Sequence, residues 1–143
     1  MVNVDLLNKH AAQYKLSKDT AGEYHAQLFT LHPEIANYYD AEDLAPDQVA
    51  RSQKFIMMGM SDLQFFFKLP QVVSDERKWR SALSNFKEVF GDVNMPLSEF
   101  NKTTDAFLAA MAKNAGGVTA EQKKEWSELL AKAYADMKTW KWY

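Results

Sequence analysis

The sequence predicts an all-α fold, a sandwich of about seven helices of mixed length rather than a matched bundle. Three observations predict it. Apolar residues recur every three or four positions through almost every segment, and no segment alternates as a strand would. Pro33, Pro46, Pro70 and Pro96 cut the chain into pieces of unequal length, and one short helix follows a proline directly. At 143 residues, the chain suits a single domain over residues 1–143, with no repeat, low-complexity tract or linker to divide it.

The elements follow in order. The first helix covers residues 5–14, with Leu7, Ala11 and Tyr14 on one face. The second starts at Ser17, a good N-cap, and ends before Pro33. Its inner stripe is Ala21, His25, Leu28 and His32, flanked by Phe29. A short helix over residues 34–39 follows Pro33, and the acidic stretch 40–44 is a solvated loop. Pro46 opens a long helix that Pro70 stops near Lys68. Val49, Ser52, Ile56, Gly59, Leu63 and Phe66 form its stripe. Ser74 caps the next helix, which runs to Phe90 with Gly91 as its C-cap and turns Trp79, Leu83, Phe86 and Phe90 to one side. Pro96 starts the following helix, which carries Phe100, Phe107 and Met111 and breaks at residues 114–117. Thr119 and Gln122 have capping-box spacing for the last helix, where Trp126, Leu129, Leu130, Ala133, Met137 and Trp140 recur.

Composition narrows the function. Net charge is −2 with both signs interspersed, so no basic stripe marks a nucleic-acid partner. No apolar run approaches the ~18 residues of a membrane span. The chain has no cysteine, which removes disulfides, thiolate chemistry and cysteine-bound metal together. No secretory signal stands at the N-terminus, and the compartment stays open between cytoplasm and export. No phosphate loop follows a strand, and the three histidines lack metal spacing with acidic partners. No metal site and no enzyme activity are therefore expected. His10 reads as a surface or boundary residue and His32 as a partly exposed residue at a helix end. Trp142 and Tyr143 either fold back or present aromatic surface to a protein partner or a second copy.

The segment Leu28-Phe29-Thr30-Leu31-His32-Pro33-Glu34-Ile35-Ala36-Asn37-Tyr38-Tyr39 resembles the second-to-third helix corner of globins, with a Phe four residues before the Pro and an aromatic six after it. Residues 47–59 resemble the distal helix, in which the ligand-side residue stands before a Gly, here Met58 before Gly59. Met95-Pro96 followed by Phe100 is similar to the start of the penultimate helix, and Trp126 fits the last. The likeness spans residues 5–140 and is nearest in pattern to the globins of flatworms and roundworms.

The resemblance implies a haem slot, and this chain departs from it on both sides. All its histidines, His10, His25 and His32, precede residue 33. The stretch that carries the proximal histidine in the family falls within residues 85–90, where Phe86 is the inward residue. Tyr39 replaces the usual Phe at the haem edge, Met58 the usual distal His or Gln, and His25 the usual Leu or Tyr. Without a proximal imidazole, haem loses its strong iron bond. A haem-sized void would cost about 24 cal/mol per Å³, so bulky side chains or an apolar ligand must fill it; Phe55, Met57, Met58, Phe66, Phe86, Phe90, Phe107 and Met111 supply volume. The expectation is a protein with no cofactor, used for binding, antigenic or regulatory purposes. Its ligand site would be a pocket remnant lined by His25, Phe29, Tyr39, Phe55, Met58 and Phe86. The alternative is haem ligated to iron through His25, with oxygen, weak peroxidase-like or haem-sequestering chemistry. His25 also reads as a neutral core histidine bonded to a backbone carbonyl or to Tyr39.

Overall fold

The computed structural model describes residues 2–90 and 95–141, with side chains for all of these except residues 87–90. Seven α-helices order the described residues: α1 (Val4–Gln13), α2 (Glu23–Leu31), α3 (Pro46–Arg51), α4 (Gln53–Val72), α5 (Glu76–Phe90), α6 (Asn101–Asn114) and α7 (Ala120–Thr139). Two 3-10 turns, Pro33–Tyr39 and Leu97–Glu99, precede α3 and α6. Among the described residues there is no strand. One apolar cluster draws on every helix, from Leu7 in α1 through Val49 in α3 and Trp79 in α5 to Met137 in α7. α2 lies at the centre, packed on α6, α3 and α4, while α4 also packs on α5 and α1.

Local chemistry sets the boundaries. The Asn3 side chain accepts from the Leu6 N–H at 3.1 Å and caps α1. Thr119 and Gln122 cap α7 reciprocally, at 3.1 and 2.8 Å, as their spacing predicts. The stripe of α7 is buried from Trp126 to Met137. Trp140 is half-buried, with the Arg80 guanidinium 4.8 Å from its ring centroid.

Four expectations need correction. Ser17 does not cap α2. It closes a turn with Ala21, whose N–H donates to its carbonyl at 2.8 Å, and the Thr20 hydroxyl donates to Lys15 at 2.9 Å. The Thr20 hydroxyl, which also accepts from the Ser17 N–H at 3.0 Å, competes with helix geometry, and α2 begins only after Gly22. The long helix after Pro46 is two helices, because Ser52 is extended at ψ 131°. Pro70 does not stop α4, which runs on to Val72. A proline this near the C-terminal end removes only one ladder bond, and its ring is buried. The cap of α5 is Asp75, whose carboxylate accepts from the Lys78 N–H at 3.1 Å, not Ser74. Gly91 lies outside the described residues.

Candidate functional site

The site begins with two glycines. A Cβ on Gly59 would fall inside the carbonyl of Ala21, and one on Gly22 would fall inside the carbonyl of Ala50. Only glycine allows α4 and α3 to come this close to the start of α2. One helical turn on from each glycine, the close approach sets His25 of α2 against Asp62 of α4. His25 Nε2 lies 3.2 Å from Asp62 Oδ2, and the two side chains are 0% and 2% exposed.

Four aromatic rings enclose the imidazole, with centroids 4.8 Å (Tyr24), 5.2 Å (Phe55), 5.3 Å (Tyr39) and 6.1 Å (Phe29) away. Phe29, Tyr39 and Phe55 also contact one another. The 3-10 turn after Pro33 delivers Tyr39, and Lys54 fixes it there by donating to its carbonyl at 2.7 Å.

The polar atoms inside this shell are poorly served. Tyr24 Oη, Tyr39 Oη, both ring nitrogens of His25 and Asp62 Oδ2 are buried without a protein hydrogen bond. The His25–Asp62 contact is close but out of line for one. Each such atom costs about 1–3 kcal/mol when left unpaired. Burial pushes the Asp62 carboxyl above its usual range, and the neighbouring His25 only partly opposes this. Burial likewise drives the phenols of Tyr24 and Tyr39 well above 10, with Asp62 adding to the rise in both.

Four of the six residues expected to line the pocket, His25, Phe29, Tyr39 and Phe55, are thus gathered in one place. Met58 is half-buried at the edge of the core. Phe86 is buried in a second aromatic group, stacked on Phe65 at 4.0 Å between centroids and edge-on to Phe100 at 5.7 Å. Met57, counted as filler, points outward and is 62% exposed, because its neighbours Phe55 and Gly59 take the inner face. Phe66, Phe107 and Met111 are fully buried, and the side chain of Phe90 lies outside the described residues.

Two residues were not foreseen. Asp62 was missed because no carboxylate shares a helix face with His25, yet it falls on the stripe Gly59, Leu63, Phe66, where a buried acid is itself a signal. Tyr24 was missed as a neighbour of His25 in sequence. His10 is not at the surface. It is 1% exposed, accepts from the Trp126 indole N–H at 2.9 Å through Nδ1 and donates to the Gly117 carbonyl at 2.9 Å through Nε2. The packing of α7 on α1, rather than the pattern of α1, buries it. His32 is partly exposed, 3.1 Å from Asp105. Asp40, Glu42 and Asp43 are exposed, as a solvated loop should be. Among the described residues, no three His, Asp or Glu side chains cluster to hold a metal ion, and no helix is long and apolar enough to cross a membrane.

No family model matches the chain, and no curated protein matches it in sequence. Its architecture is similar to that of a C. elegans globin-like protein, with a TM-score of 0.83 over 97% of this chain and 94% of that one, at 19% identity. Likeness at that identity speaks for architecture alone, and the architecture is the globin fold.

Proposed function

We propose that this chain keeps the globin fold without the usual haem ligation and serves as a binding or regulatory protein. The proposed ligand site is the apolar remnant where His25, Phe29, Tyr39 and Phe55 meet; of the six residues expected there, Met58 and Phe86 stand outside this group. The observation that carries this reading is the packing around His25. An axial ligand needs open space for a porphyrin face across its ring edge. Four aromatic rings instead stand around the imidazole, 4.8–6.1 Å away between centroids, and Asp62 lies 3.2 Å from Nε2. His10 has both nitrogens bonded within the protein, His32 lies against Asp105, and residues 85–90 contain no histidine. These donors do not fit an iron ligand. What the remnant does offer is a buried group of aromatic rings, whose chemistry suits a small apolar molecule.

A hemin titration followed by absorbance tests the reading. The expected spectrum is that of hemin free in buffer. A sharp, stoichiometric Soret band that is lost in His25→Ala would overturn it.

A further inference from the structure

We propose that Tyr24, His25, Tyr39 and Asp62 form an internal binding site for a small neutral hydroxylic molecule, the class of water and the shortest alcohols. The first support is where the unpaired groups fall. Among the described residues, every buried side-chain nitrogen or oxygen without a protein hydrogen bond belongs to these four side chains. Buried polar groups elsewhere are satisfied within the protein. The Trp126 indole and both nitrogens of His10 are paired, the Thr103 hydroxyl lies 2.6 Å from that of Tyr134, and the Trp79 indole donates to Asp136 at 2.8 Å. Folded proteins pair such groups through protein or ordered solvent. Five such atoms on four neighbouring side chains, two of them the close His25–Asp62 pair, therefore mark a site for a guest that completes them.

The donor and acceptor types select the guest. The carboxylate of Asp62 only accepts, each phenol both donates and accepts, and a neutral imidazole offers one of each. A hydroxyl, which donates once and accepts twice, answers all three. An anion would face the Asp62 oxygen. The Lys54 ammonium sits against the outside of the shell, 5.2 Å from the Phe55 centroid and tied to the Tyr39 carbonyl. A cation would have to enter a core whose walls are 0–8% exposed, at the cost of its hydration.

This site shares His25 and Tyr39 with the proposed ligand remnant, but its test is separate from the hemin titration. In the full chain, NMR cross-peaks are recorded between water and side-chain protons of Tyr24, His25 and Tyr39, followed by a methanol titration. Long-lived water peaks that vanish in Asp62→Leu, with the Trp126 indole signal unmoved, support the proposal with water as guest. Saturable methanol shifts at the same residues support it with an alcohol. The absence of both overturns it, and so does equal saturation by formate or ammonium. Tyr39→Phe gives a second measurement that does not rely on the Asp62 variant folding. Loss of a bridged hydroxyl lowers Tm by about 3 °C, whereas an unchanged or raised Tm overturns the proposal. A Soret band alongside intact water peaks would sink only the haem-free reading.

Discussion

Two histidines are equally shielded from solvent in this protein, and their surroundings differ sharply. His10 is 1% exposed and His25 is 0% exposed. At His10 the Trp126 donor fixes Nδ1 as an acceptor and the Gly117 carbonyl fixes Nε2 as the donor, so one neutral tautomer satisfies every partner. That site fastens α1 to α7 and to the loop before α7, and leaves nothing over for chemistry. At His25 the partners are a misaligned carboxylate and two phenols with hydrogen-bonding capacity to spare. Burial alone therefore does not separate a structural histidine from a candidate site; the tally of satisfied atoms does.

The comparison can be broken at three points. The largest effect is expected from Gly59→Ala, whose methyl would enter the Ala21 carbonyl. It should cost about 3 kcal/mol or more in urea unfolding, and in whatever fraction folds it should disturb the His25 signals while leaving the Trp126 indole signal in place. If both signals shift together, the two sites are one unit.

The next effect contrasts the sites directly. His10→Ala strands the Trp126 donor and the Gly117 carbonyl and opens a cavity, for a loss of about 3 kcal/mol. The double variant His25→Leu with Asp62→Leu removes both members of its pair and should cost less than about 1 kcal/mol, since buried polar pairs replaced together by apolar groups are often neutral. Equal losses would show that the two histidines are held in the same way.

The smallest effect is in pH. Burial holds His10 below its unfolded value of 6.5, and the Gly117 bond only partly opposes this. The folded state therefore binds fewer protons than the unfolded one below pH 6.5. Stability from this group is fully present above that pH and is lost as pH falls toward the depressed folded value. Asp62, raised by burial, works with the opposite sign: its folded form favours the proton, so it costs stability above pH 3.8 and relieves that cost as pH falls. The His10 contribution is thus the difference in Tm-against-pH slope between the wild-type chain and His10→Gln. Parallel slopes would show that His10 does not titrate with unfolding.

Much of this was legible in the sequence, and the limits follow a physical line. The capping pair Thr119 and Gln122, the Pro33 corner and the stripe from Trp126 to Met137 depend on residues within one or two turns, and each stands as the pattern predicts. Phe29, Tyr39 and Phe55 were read as lining one place, and their rings do meet. The meeting of His25 with Asp62 depends on how closely two helices cross, which Gly22 and Gly59 decide through contacts no single helix contains. The burial of His10 is likewise a property of α7 lying over α1. The late start of α2 turned on competing hydroxyl bonds at Thr20, which propensity alone does not weigh.

Where α4 meets the start of α2, at Gly59 and Ala21, backbone lies on backbone with no side chain between that could rotate aside. Amide hydrogens of α4 flanking this crossing are expected to reach solvent only when the helices part as whole units, and so to exchange at the pace of global unfolding. The turn just before it, closed by surface hydroxyls at Ser17 and Thr20, should open on its own and exchange early. The two sides of one crossing thus keep two very different clocks.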